Sequence, residues 1–363
     1  MDNRFIIFGL HEIEGVGWQS MLRLLTAFPE PYQLFGLSAE QIASCGVKRS
    51  IAERIASEFT PGFIEIKLQL YKKHSIQFLT IVDEMYPAIL KEIAQPPWIL
   101  YYKGDPAYLQ MRSIGIVGTR MPTPYGKKIA SQLAAQLSKA GFGVVSGLAR
   151  GIDSHAHLGA LQGSAKTVAV LGCGINQIYP RENAPLYKQI EQEGIIVSEY
   201  PIDTKMHPGM FPQRNRIIAG LSLGVVVVEA AADSGSLITA NFAVDESRDV
   251  FAVPGPITSL QSQGVYELLR KGARIVTRVE DILHDYHYLL SESEKSALHR
   301  TQASAELTNE EAEIARMLSD VPVTIDELLE GSQFTFGHLH AVLLSLLLKK
   351  AIKQLPGSSY ILA

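Results

Sequence analysis

At 363 residues with a formal net charge of −4 at pH 7, the chain is too long for one ordinary domain and carries no global basic signal for nucleic acid. Hydrophobic residues are 47% and charged residues 19%, which fits a globular protein with a substantial core. The opening apolar run is too short for a secretory signal, and no later run approaches the ~20 residues of a spanning helix. Cys45 and Cys173 form no CxxC pair, so neither a zinc site nor a disulfide framework is expected, and the protein reads as cytoplasmic. The excess negative charge sits entirely at one end. Residues 301–363 hold four basic and eight acidic side chains, whereas residues 1–300 are neutral.

From residue 1 to about 75 the apolar spacing is helical and broken by glycine, as in GVGWQSMLRLLTAF (15–28) and CGVKRSIAERIASEF (45–59). Each is a Gly-containing turn opening an amphipathic helix, a pattern that resembles paired helix-hairpin-helix or SAM-like units. Such turns present N–H groups to a backbone phosphate. A small helical packing domain explains the same pattern, since only Lys48 and Arg49 add positive charge there. An extended lead-in over 81–112 follows.

Seven apolar, β-rich runs then alternate with helical runs: 113–118, 142–147, 167–172, 195–200, 224–230, 249–255 and 273–277. Continuous Val/Ile runs without polar alternation mean strands covered on both faces. The fold class expected is α/β, a Rossmann-like, doubly wound, mainly parallel sheet. Residues 289–306 are polar and read as a linker. Three helical stretches and the hairpin-like LPGSSYIL follow, a winged-helix pattern. The expected division is 1–80 helical, 81–288 Rossmann-like, 289–306 linker and 307–363 winged-helix-like.

In an open α/β sheet, ligands bind beyond the carboxyl ends of the strands, near the switch point. Here the connections carry glycines, cations and hydroxyls: Gly118, Arg120, Ser146, Gly147, Arg150, Gly151, Lys166, Arg214, Arg216, Ser234, Gly235 and Ser236. Glycines let an anion approach the backbone, helix N-termini supply N–H donors, and Arg and Lys add charge. The expectation is a phosphate-binding rim on a neutral domain. No GxGxxG follows the first strand and no GxxxxGK[ST] occurs, so no nucleotide cofactor is expected. Asp153, Ser154, His155 and His157 lie close in sequence, but the two histidines point apart on a helix and have no third ligand. No GxSxG elbow accompanies the serines. Glu199 and Glu229 fit best as partners of Arg214 or Arg216.

IVGTR (116–120), SGLARGID (146–153), GCGINQIYP (172–180), SEYP (198–201), FPQRNRIIAGLS (211–222) and VVVEAAADSGSLITA (226–240) together resemble the signature of the DprA/Smf family of DNA-processing proteins. They stand in order and at that family's spacing, and DEMYPAILKEIAQPPWILYYKGD (83–105) resembles its lead-in. Two departures are Asn176, where many relatives carry Asp, and the missing Asn after the Gly of GVYELLRKGA (264–273). The resemblance implies a protein of natural transformation (competence) that binds single-stranded DNA, forms a homodimer and loads the RecA recombinase, without catalysis. Carried over by motif, Arg120 and Lys166 are the principal DNA-contacting cations, and Gly118, Ser146, Gly147 and Gly151 line the pocket. The dimer would form late in the sheet, where helix 264–272 offers Val265, Leu268 and Leu269; ordinary helix-to-sheet packing is the alternative. The rival function is a nucleotide or phosphoribosyl hydrolase using the same strand-end pocket. For the acidic tail, the expectation is contact with protein rather than with duplex DNA.

Overall fold

The structure, a computed structural model, describes residues 2–289, 307–319, 321–349 and 351–362. All of the expected linker except Leu289, and also Lys350, lie outside them. The chain divides into two compact units, one ending at Asp285 and the other beginning at Tyr286.

The first unit opens with five helices: α1 (Asn3–His11), α2 (Trp18–Ala27), α3 (Ala39–Ser44), α4 (Arg49–Glu58) and α5 (Pro61–Lys73). Their starts follow local chemistry. Ser38 and Gln41 form a capping box on α3, and Thr60 accepts from Phe63 N ahead of a first-turn proline on α5. Strands β1 (Gln77–Thr80) and β2 (Ile99–Gly104), with the short α6 (Ala88–Lys91) between them, complete the lead-in. Trp18 Nε1 donates to Pro96 O at 2.8 Å, tying α2 to that lead-in.

Seven strands follow: β3 (Ser113–Val117), β4 (Gly143–Ser146), β5 (Thr167–Leu171), β6 (Ile195–Ser198), β7 (Gly224–Val227), β8 (Asp249–Ala252) and β9 (Arg274–Ile275). Each falls within one of the seven apolar runs. They alternate with α7 (Pro124–Lys139), α8 (Ile152–Ala160), α9 (Ala184–Glu193), α10 (Met210–Gly220), α11 (Gly235–Asp245) and α12 (Gln263–Arg270); α13 (Val279–Leu283) ends the unit. The nine strands pair in the order β1-β2-β6-β5-β4-β3-β7-β8-β9. Pairing is parallel from β6 to β9, and β2 joins β6 antiparallel. The sheet therefore reaches into the lead-in and, through β1, to the helical side of the boundary expected at 80/81.

Side chains alternate across this sheet as the pleat requires. Val168 and Val170 of β5 face a core with Ile217 and Ile218 of α10, Ala240 of α11 and Val265 of α12. Ala169 and Leu171 face the opposite core, which contains Ile6, Phe8 and Leu10 of α1 and Ile190 of α9. Both faces are covered, which is why the strands carry unbroken apolar sequence. Walking outward from β3, the chain proceeds through β4, β5 and β6 on one side and β7, β8 and β9 on the other. The direction of winding reverses between β3 and β7.

The second unit contains α14 (Asn309–Met317), α15 (Ile325–Ser332) and α16 (Phe336–Leu348), with a three-stranded sheet of β10 (Val323–Thr324), β11 (Ile352–Leu355) and β12 (Ser359–Leu362). Thr308 with Glu311 and Thr324 with Glu327 form capping boxes. Among the described residues, three helices with a β-hairpin behind the third match the winged-helix pattern read from sequence. Among the described residues, no helix is long and apolar enough to cross a membrane.

Candidate functional site

A cleft of about 750 Å³ opens at the carboxyl ends of the parallel strands, at the reversal between β3 and β7. Its walls are Gly118–Arg120 after β3, Ala231 and Asp233–Ser236 after β7, and Phe211, Arg214 and Asn215 of α10. Tyr179 closes one side and Met206 and Pro208 another. A narrower extension runs over Gly147, Ala149, Arg150, Gly172 and Cys173. Helix α11 starts in the cleft: Ser234 caps it, accepting from Ser236 N, and the hydroxyls of Ser234 and Ser236 lie 2.8 Å apart. The first turn thus offers N–H groups and two hydroxyls to an anion.

Arg120 is the exposed cation of this cleft. Its guanidinium lies 5.9 Å from the centre of the Phe211 ring, which in turn meets the Tyr179 ring at 5.4 Å. A cation over one aromatic face beside a second ring can hold a phosphate and stack a base. Arg214 lies beneath, buried, with Nη1 donating to Gly147 O at 2.6 Å and also to Val170 O. Burial lowers its pKa from the ordinary arginine value, while Asp153 opposes that shift. Asp153 is itself raised by burial and held down by Arg214 and by the N–H groups of Gly147 and Ala149. Arg214 and Asp153 therefore offset one another and shape the loop after β4. Only glycine suits two points of that loop. A Cβ on Gly147 would collide with the Arg214 guanidinium, and Gly151 combines φ +81° with the Thr119 carbonyl against its missing side chain.

The sequence-predicted residues separate into groups. Gly118, Arg120, Arg214, Ser234, Gly235 and Ser236 line the cleft, and Gly147 and Arg150 line its extension. Gly151 opens α8 next to Thr119. Ser146 is fully buried and donates to Ile116 O at 2.6 Å, so it holds β4 to β3 and offers nothing to a ligand. Arg150 is exposed but ion-paired with Glu182.

Two expected contacts are corrected outright. Arg216, two positions after Arg214, lies about 200° around α10 from it, so both cannot face one cleft. It is buried and paired with Glu199 at 2.5 Å. Lys166 directly precedes β5 and so lies at the amino edge, about 16 Å along the strand from the cleft-side end. Its Nζ reaches Leu161 O at 3.0 Å and Glu193 at 3.1 Å. Glu229, expected near an arginine, accepts instead from Thr123 N and Oγ1 at 2.9 and 2.5 Å and fixes the start of α7.

His157 has a structural duty. It is fully buried; Nε2 accepts from Leu148 N at 3.2 Å, which leaves Nδ1–H to donate to Thr167 Oγ1 at 2.7 Å. Among the described residues no cluster of three or more His, Cys, Asp or Glu side chains could hold a metal ion. Sequence reasoning passed over Arg181. It is exposed, follows the cleft residues Tyr179 and Pro180, and forms no ion pair among the described residues. Its signal was a cation immediately after a strand-end turn.

The late helix is also corrected. Val265 and Leu268 of α12 are buried in the core against the sheet, and Leu269 packs on that core. The helix places its apolar stripe inward, so helix-to-sheet packing uses the groups expected at a dimer interface. The exposed apolar groups nearby are Ile257, Leu260 and Ile275.

The family described as "DNA recombination-mediator protein A" matches residues 77–287, and the "DprA winged helix domain" matches residues 299–358. The chain is 35% identical over 325 residues to Protein Smf of Synechocystis, covering 81% of this chain and 82% of that one. It is 39% identical over 250 residues to the DNA processing protein DprA of Bacillus subtilis, covering 69% and 82%. The crystal structure of DprA from Streptococcus pneumoniae superposes with a TM-score of 0.69 at 34% identity, over 77% of this chain and 97% of that one. A Helicobacter pylori DprA structure, described for its single-stranded DNA binding mode, gives 0.54 at 33% identity, over 59% and 98%. The chain belongs to the DprA/Smf family of DNA-processing proteins.

Proposed function

We propose that this protein binds single-stranded DNA in the cleft at the β3/β7 reversal and passes it to the RecA recombinase, with no chemical turnover. The observation that carries this reading is the cluster of Arg120, Phe211 and Tyr179 beside the hydroxyl-lined start of α11. One element neutralises a phosphate, two rings stack a splayed base, and a helix start takes an anion. A cleft of about 750 Å³ admits one strand and a base but not a duplex. The relative from Helicobacter pylori, described as binding single-stranded DNA, supports the same choice. Delivery to RecA, as in transformation, rests on family membership.

The described chemistry favours binding over hydrolysis. Both ring nitrogens of His157 are engaged, Asp153 is committed to backbone N–H groups, and Ser146 is buried. Self-association, if it follows the family, falls to the exposed Ile257, Leu260 and Ile275 around the edge strand β9 rather than to α12.

The test compares binding of an oligo-dT with binding of a duplex of equal length by fluorescence anisotropy at several salt concentrations. Tighter binding of the single strand, weakening with salt, supports the reading. Equal affinity for both, or base or phosphate released from mononucleotides, overturns it.

A further inference from the structure

A buried polar cluster joins the N-terminal helices to the sheet. Glu12 follows α1, and its side chain has no exposed surface. Such a carboxylate is tolerated only when a nearby cation and hydrogen bonds offset its burial; here Oε2 meets a cation and Oε1 takes the hydrogen bonds. Lys67 Nζ lies 3.2 Å from it, and the hydroxyls of Tyr71 on α5 and Tyr101 on β2 both donate to Oε1 at 2.6 Å. Burial and the Glu12 charge hold both phenols above their ordinary pKa, so they keep their protons.

The donor roles are then settled. A carboxylate only accepts, so each phenol spends its proton on Glu12 and presents lone pairs elsewhere. The Tyr101 oxygen accepts from His11 Nδ1 at 3.0 Å; burial lowers His11 to about 4, leaving a neutral ring. The Tyr71 oxygen accepts from Ile202 N at 2.8 Å. A phenol polarised by a charged acceptor is the stronger acceptor itself.

Ile202 anchors a segment that matters to the cleft. Its side chain is buried, and four residues later Met206 begins the wall that continues through Pro208 into α10 with Phe211 and Arg214. Asp203, at φ +59°, exchanges hydrogen bonds with Asn176 at 2.7 and 3.0 Å, and Gln177 donates to Thr204 O at 2.9 Å. The foot of the segment is therefore clamped on one side by the loop after β5 and on the other by Tyr71. Between that foot and α10 the residues are largely exposed.

We propose that Tyr71 is a positioning residue for DNA binding: through Ile202 N it sets the segment 203–209 that carries the cleft wall at Met206 and Pro208, so the N-terminal helices control the shape of the cleft. The proposal rests on the single-strand reading of that cleft. Two conservative variants separate positioning from plain stability. Tyr71→Phe retains the ring, which stacks on Tyr101 at 5.0 Å and meets Phe8 edge-on at 5.2 Å, but removes the acceptor for Ile202 N. Tyr101→Phe removes an equal bond to Glu12 without touching the segment.

Both variants should lose a similar amount of thermal stability in the full-length chain. Only Tyr71→Phe should weaken oligo-dT binding, by roughly 5- to 20-fold, and only it should speed amide hydrogen exchange across 202–209. If the two variants bind oligo-dT within twofold of each other, or if exchange across 202–209 is unchanged in Tyr71→Phe, the inference is overturned. Should the parent protein itself not bind oligo-dT, the functional reading of the cleft fails instead. The exchange comparison then decides the positioning role alone.

Discussion

Arg120 and Lys166 carry the same charge and both stand beside β-strands, yet they occupy opposite edges of one sheet. Arg120→Glu should weaken single-strand binding at least ~10-fold and flatten the log–log salt dependence by roughly 0.7 per lost phosphate contact. Lys166→Glu should stay within about threefold of the parent at every salt concentration. Comparable losses in both variants would place the DNA path across the amino edge of β5 as well. The position of Lys166 was legible in the sequence, because a residue just before a parallel strand lies at its amino edge. That of Arg216 was legible from the turn angle of a helix. The identity of Glu229's partner was not, since Thr123 is 106 residues away in sequence. A second expectation concerns pH. Burial depresses His157 to about 3 and His11 to about 4, below the ordinary value of 6.5. At these two sites the unfolded chain therefore binds more protons between those values, so the stability they contribute is complete above about pH 6.5 and declines as pH falls toward 4. With both groups taking up protons mainly on unfolding, the slope near pH 5 is on the order of 2–3 kcal/mol per pH unit. Thermal melts from pH 7.5 to 5 should show the midpoint falling; a flat profile counts against neutral buried histidines.

At the scale of elements, α12 shows how an amphipathic stripe misleads. Apolar groups at 265, 268 and 269 read equally as a dimer face or as a core face, because periodicity reports a buried side without saying what buries it. The sheet resolves it, with Val265 and Leu268 both in the core. Leu268→Ala should therefore cost about 2–4 kcal/mol in denaturant unfolding, whatever the protein concentration. A loss that vanishes at high concentration would return this helix to an interface. The seven later strands were plain in the sequence as short Val/Ile runs between helical stretches, and covering by helices on both faces is what makes them plain. β1 and β2 were not. Their lead-in, with Pro87, Pro96 and Pro97, lacks the strand–helix alternation of the rest, and antiparallel joining of β2 to β6 is a long-range choice. In the second unit α16 carries no Asp, Glu, Lys or Arg along its length, while Phe336, Leu344 and Leu348 are exposed on it. A groove-reading helix needs cations at such positions.

For the whole molecule, removal of residues 290–363 tests that acidic end. Single-strand affinity at pH 7.5 should stay within about twofold of the full chain, since the cleft residues all precede Asp285 and the lost charge is net negative. A large loss from a truncated protein that still melts cooperatively would show that the acidic end holds DNA after all. Sedimentation of both proteins at micromolar concentration checks self-association, with a dimer expected from each if Ile257, Leu260 and Ile275 form the contact. What the sequence determined by itself is whatever depends on near neighbours along the chain: apolar runs that become strands, Ser and Thr that cap helices, glycines where backbone must pass close, and the motifs that mark the family. Tertiary structure alone decided which of these residues meet. Arg120 reaches Phe211 across 91 positions, Tyr71 reaches Ile202 across 131, and Glu12 gathers two tyrosines from different elements. Such meetings depend on strand order and on which face each helix covers, and local sequence carries no record of either.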